Sequence, residues 1–176
     1  YPVSASLGST NALRAPFDVA AIRAAQGTPD LEPFRCKEPP SAVEDLHFGS
    51  IYENSDESRS IVDPESQAEY KRAMEPLSRF ENNLAKMANR YVRSNPPRPE
   101  IAACVMDWID AWAQDNALLG DVNRVGVFVR KWSLASIASA WLQVQDEPAL
   151  DPAGRRRVRA WLAEVARTVV ADYTRD

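Results

Sequence analysis

The sequence predicts an all-α fold of antiparallel helical hairpins. Four long segments carry apolar residues at steps of three and four, and no stretch alternates apolar with polar residues. Linkers of about six to ten residues join the four, short enough to make successive helices neighbours.

Residues 1–50 read as a mostly irregular N-terminal arm. Pro2, Pro16, Pro29, Pro33, Pro39 and Pro40 punctuate it, and only Phe17, Ala21, Ile22 and Ala25 fall at helical spacing. The remaining residues, 51–176, form the helical portion of a single domain. It opens on a lid-like loop at about residues 51–63, rich in the Asn, Ser and Asp side chains that bond their own backbone and favour turns.

Asp63-Pro64-Glu65 starts the first long helix: a capping oxygen, a proline that sacrifices no hydrogen bond at the first helical position, and an acid favoured by the dipole. Leu77, Phe80, Leu84, Met87 and Tyr91 carry that helix to about Arg93, with Pro76 marking a kink or a break in two. After the Pro96–Pro99 linker, Ile101, Val105, Trp108 and Trp112 form one stripe, widened by Cys104, Ile109 and Ala113.

Val125 to Val144 is apolar or small nearly all round, which predicts a helix covered on both sides. Asp151-Pro152 repeats the capping signal, and Val158, Trp161, Leu162, Val165 and Val169 follow at helical steps. All five tryptophans fall inside these segments and are read as core.

At 176 residues, 45% hydrophobic and 26% charged, the chain fits one soluble domain with a real core. A net charge of −4 with one histidine gives no positive field for a phosphate backbone, so nucleic acid is not an expected partner. The dense run Arg155, Arg156, Arg157 and Arg159 reads as a solvated helix face. No apolar run is long enough to span a bilayer. The first residues lack a basic n-region and an apolar h-region, so an export signal is expected to have been removed or never present. No acidic cluster has metal-ligand spacing, and neither metal nor cofactor is expected. Cys36 and Cys104 lie 68 positions apart, too far for a local metal pair; a disulfide or two free thiols remain.

Three segments in series carry a resemblance. They are Tyr52-Glu53-Asn54-Ser55-Asp56-Glu57-Ser58-Arg59-Ser60, then Trp108-Ile109-Asp110-Ala111-Trp112-Ala113 with Ala117-Leu118-Leu119, and Arg130-Lys131-Trp132-Ser133-Leu134-Ala135-Ser136. In order and spacing, from about Cys36 to about Val170, the chain resembles roughly the first half of the alginate lyases of polysaccharide lyase family five.

The resemblance implies part of an incomplete α/α barrel around a uronate-binding groove, a Cys36–Cys104 disulfide, and a periplasmic or secreted protein. It implies β-elimination, in which the C6 carboxylate is neutralised, a base takes the C5 proton and an acid protonates the leaving oxygen. The family's Asn-Asn-His segment and later Arg and Tyr residues have no counterpart here, so no catalytic residue is assigned.

Substrate contact is expected instead from Tyr52, Arg59, Arg130 and Lys131: a lid-loop phenol for stacking and hydrogen bonding, and cations for a polyanion. Arg130 and Lys131 read equally as surface charges with packed stems. Several relatives carry a basic residue before the tyrosine, where this chain has Ile51, so specificity differs or the site has degenerated. His47 lies upstream of the loop motif and does not match the family's catalytic histidine.

The expected partners are an anionic polysaccharide, alginate or a related polyuronate, and a companion chain or segment carrying the second half. The alternatives are a non-catalytic uronate-binding protein and a helical interaction module that binds no sugar.

Overall fold

The computed structural model describes residues 16, 18–52, 58 and 60–174. They form five helices: α1 (Val19–Gln26), α2 (Pro64–Arg93), α3 (Pro99–Gln114), α4 (Arg124–Val144) and α5 (Pro152–Thr174). Among these residues there is no β-sheet, only isolated bridges. The all-α expectation holds, and α2 and α5 begin where the sequence places their caps, while Asn123 caps α4. Asp63 accepts a hydrogen bond from the Ser66 N–H at 2.8 Å, Asn123 from Gly126 at 2.9 Å and Asp151 from Gly154 at 2.6 Å.

Pro76 neither ends nor splits α2, which runs unbroken for 30 residues. Leu77, Phe80, Leu84 and Ala88 on that helix are fully or almost fully buried, and this packing outweighs the one backbone bond that a proline removes. Phe80 stacks on Trp112 with ring centroids 3.6 Å apart and lies 5.9 Å from Trp108, joining α2 to α3.

α2 packs most extensively on α4. Tyr70, Val125 and Phe128 line one groove near one end of the pair, while Asn89, Val92 and Gln143 line another near the other end. The two helices therefore run in the same direction, with α3 and α5 behind them.

Among the described residues the N-terminal arm is irregular outside α1 but firmly docked. A segment outside regular structure must satisfy its backbone groups elsewhere. Here the indole N–H groups of Trp108 and Trp112 donate to the carbonyls of Lys37 and Pro40 at 2.6 and 2.9 Å. Cys36 and Cys104 form a disulfide, with Cα atoms 5.6 Å apart, as the family resemblance implied. Further on, the Leu118 N–H donates to the Val43 carbonyl and the Leu46 N–H to the Asp121 carbonyl, and Leu46 and Phe48 enter the core. Leu118 itself has φ 63°, a left-handed conformation costly for a branched residue; its burial and its bond to the arm hold it there.

A second clasp sits at the start of the arm. Arg90 grips Asp30 through two bonds of 2.6 and 2.9 Å, Ser94 donates to the same carboxylate, and Arg98 lies 3.2 Å from it. The Arg90 guanidinium holds the Asp30 carboxyl well below the usual carboxylate range. The clasp is thus fully effective above the unfolded-state value of about 3.9 and weakens as pH falls below it. Urea midpoints measured across the acid range should fall more steeply for the natural chain than for Asp30→Asn; parallel curves would show that the clasp does not contribute.

Candidate functional site

The start of α4 fixes the geometry of a groove. Asn123 caps the helix and also donates to the Phe48 carbonyl at 2.8 Å, tying arm to helix. Gly126, one turn in, lies so close to the Leu46 carbonyl that any Cβ would overlap it, so the arm rests directly on the helix backbone. Phe48 meets the Tyr70 ring edge-on at 5.8 Å. The chain then passes through Gly49 and Ser50 over the top of the α2–α4 pair. The Asp63 N–H donates to the Ile51 carbonyl at 2.9 Å, and Tyr52 bridges Val62, which closes the base of the predicted lid.

Together these elements enclose a groove of about 290 Å³, near the lower end for ligand pockets. It is lined by Gly49, Ser50, Ile51, Tyr52, Tyr70, Val125, Phe128 and Trp132. Phe128 and Trp132, one turn apart on α4, form its floor and are 40% and 62% exposed. Lys131 projects beside them, its ammonium 5.5 Å from the Phe128 ring centroid, 5.8 Å from that of Trp132 and 5.0 Å from that of Tyr173. Burial pushes the Tyr70 phenol up, so at neutral pH it is a hydroxyl donor and not a base. On the seam between α2 and α4, burial likewise pushes the Glu81 carboxyl up, opposed by its hydrogen bond with Ser133.

The residues assigned to substrate contact part company here. Tyr52, 36% exposed, lines the groove, and Lys131 stands at its edge. Arg130 is elsewhere: its side chain is 2% exposed and forms a 2.7 Å ion pair with Asp172, itself 4% exposed. Arg59 lies outside the described residues. Ile51 contributes an apolar wall. His47 is exposed between buried Leu46 and Phe48 and is not among the lining residues.

Trp132 corrects the reading of every tryptophan as core; the other four are at most 5% exposed. The expectation that α4 is covered on both sides also fails among the described residues, because Phe128, Trp132, Ala135 and Ser139 form a bare stripe. Tyr70, Phe128 and Tyr173 were not singled out from the sequence. The available signal was α4 itself: a helix apolar all round must show an apolar face wherever no neighbour covers it.

Chemically, this surface presents groups suited to holding a ligand. It offers aromatic faces, phenol hydroxyls and one cation, with no histidine or carboxylate among the lining residues. Among the described residues no group of three or more His, Cys, Asp or Glu side chains is arranged to hold a metal ion.

Fold and groove define the class: an all-α scaffold of helical hairpins with an open, aromatic-floored cleft beneath a loop. The alginate lyase family model matches residues 47–176, and the chain belongs to that family. It is 34% identical over 140 residues to a polysaccharide lyase of Stenotrophomonas maltophilia, covering 77% of this chain and 40% of that protein. It is also 34% identical over 135 residues to an alginate lyase of Azotobacter vinelandii, covering 74% and 36%. The crystal structure of alginate lyase A1-III from Sphingomonas species A1 superposes with a TM-score of 0.69 at 26% identity, over 88% of this chain and 45% of that one. A variant of that lyase complexed with tetrasaccharide gives 0.71. The chain therefore spans less than half the length of the relatives it matches.

Proposed function

We propose that this chain is the substrate-holding part of a polysaccharide lyase acting on alginate or a related polyuronate, with the catalytic groups supplied by a further segment or a companion chain. The observation that carries the reading is the exposed Phe128–Trp132 floor with Lys131 set beside it, under Tyr52, in a chain of the alginate lyase family. Apolar ring faces suit the C–H faces of a sugar, phenol hydroxyls suit its hydroxyls, and an ammonium suits its carboxylate.

In the complete protein the reaction is β-elimination. A base removes the C5 proton, the released electron pair forms the C4–C5 double bond, the C4–O bond breaks, and the leaving oxygen takes a proton. Tyr52, Tyr70, Trp132 and Lys131 orient the sugar for that step. The small residues Ala135 and Ser139, further along the bare stripe, are where the remaining helices pack, since exposed faces of this kind mark interfaces. We infer an oxidising compartment, periplasmic or extracellular, a reading that the Cys36–Cys104 bridge supports.

The test is calorimetric titration with mannuronate and guluronate oligomers, paired with ultraviolet absorbance of the unsaturated product. The 176-residue chain should bind without forming product, and Trp132→Ala should weaken binding about tenfold, the loss of roughly 1.4 kcal/mol of stacking and contact. Absence of binding, or equal binding by Trp132→Ala, would overturn the reading. Product formed by this chain alone would overturn the assignment of the catalytic groups elsewhere.

A further inference from the structure

We propose that the buried Arg130–Asp172 pair is a positioning device for the neighbouring surface: it holds the last turn of α5 against α4 so that Tyr173 closes an aromatic box around Lys131, and the boxed Lys131 selects a carboxylated sugar over a neutral one. The second half of this proposal rests on the groove being a uronate site; the first half does not.

The argument starts from two adjacent pairs of residues. Arg130 and Lys131 are neighbours on α4, and Asp172 and Tyr173 are neighbours on α5. The inner pair is sealed, at 2% and 4% exposure and 2.7 Å, and the second arm of the guanidinium donates to the Gly120 carbonyl. The outer pair sits at the surface, with the Lys131 ammonium 5.0 Å from the Tyr173 centroid. Phe128 completes the box, its ring 6.4 Å from that of Tyr173 and steeply inclined to it.

Burying an ion pair carries a desolvation cost that its attraction barely offsets, so its net stabilisation is small and its directional hold is what remains. That hold acts where it is most needed. The final turn of a helix frays readily, and Tyr173 lies in the final turn of α5. Lys131, for its part, has four rotatable bonds and a large rotamer entropy to lose when it meets a ligand. Three ring faces around the ammonium remove much of that freedom beforehand and leave N–H donors directed away from the rings. Among the described residues no carboxylate lies within ion-pair distance of Lys131. Among the described residues the cation is therefore ordered but not neutralised, the state that favours capture of an external carboxylate.

Two measurements test this. In the natural chain the ε-methylene protons of Lys131 should be displaced upfield by the ring currents of the box. In Asp172→Asn that displacement should collapse while circular dichroism retains the helical signal. The preference for a uronate oligomer over a neutral oligosaccharide of equal length should fall about fivefold in Asp172→Asn and in Lys131→Met. Should Asp172→Asn not fold, Tyr173→Leu, which leaves the buried pair intact, must lose the upfield displacement and the preference to the same degree. An unshifted Lys131 in the natural chain, or an Asp172→Asn variant that keeps both displacement and preference, overturns the proposal. If the natural chain binds no sugar, the function proposed above fails, along with the selective role of Lys131, while the displacement and its loss still decide the positioning role.

Discussion

Removing the Cys36–Cys104 bridge, by reduction or as the double variant Cys36→Ser and Cys104→Ser, is expected to lower the free energy of unfolding by about 4 kcal/mol. The bridge spans 68 positions and so constrains a large part of the unfolded chain. It also clips the arm to α3 beside Trp108 and Trp112, whose indoles hold the next few residues of the arm. A loss of that size is a large fraction of the roughly 5 to 15 kcal/mol by which a domain is stable. Urea unfolding with and without reductant measures it. A shift worth less than about 1 kcal/mol would mean that the arm is held by its hydrogen bonds and buried residues alone.

Phe80→Ala is expected to cost about 4 kcal/mol, the range found for a fully buried aromatic ring cut back to a methyl group. Phe80 has no exposed surface and packs against two indoles, so the vacated space is bounded by large rings that cannot readily collapse into it. The effect should extend beyond α2. Trp108 and Trp112 also donate to the arm, and their loosening should weaken the near-ultraviolet dichroism together with the unfolding midpoint. Phe80→Leu should lose much less. Equal losses for the two variants would show that ring stacking, and not filled volume, dominates at this position.

The helices were legible because their signals are local. Asp63-Pro64 and Asp151-Pro152 announce α2 and α5, and apolar steps of three and four carry each helix to within a few residues of its observed end. The docking of the arm was not legible, since Trp108 and Trp112 meet it through the backbone carbonyls of Lys37 and Pro40, and a carbonyl is the same at every residue. Trp132 was misread as core for a related reason. A helix apolar all round gives its period no means of saying which stripe lacks a neighbour. Arg130 is expected to contact substrate because its partner, Asp172, stands 42 positions away, beyond the reach of any local pattern. Tyr52 and Lys131 are assigned through the family resemblance, whereas Tyr70, Phe128 and Tyr173 come together only in three dimensions.

The uneven exposure of the tryptophans gives the molecule an optical gauge of its own. An ionic quencher such as iodide reaches one indole of the five, that of Trp132, so the fraction of emission it extinguishes belongs to the floor of the groove. Anything that settles there shields that fraction and leaves the remaining light unchanged. Occupancy can thus be followed in unlabelled protein, separately from unfolding, which would release the other four indoles to the quencher.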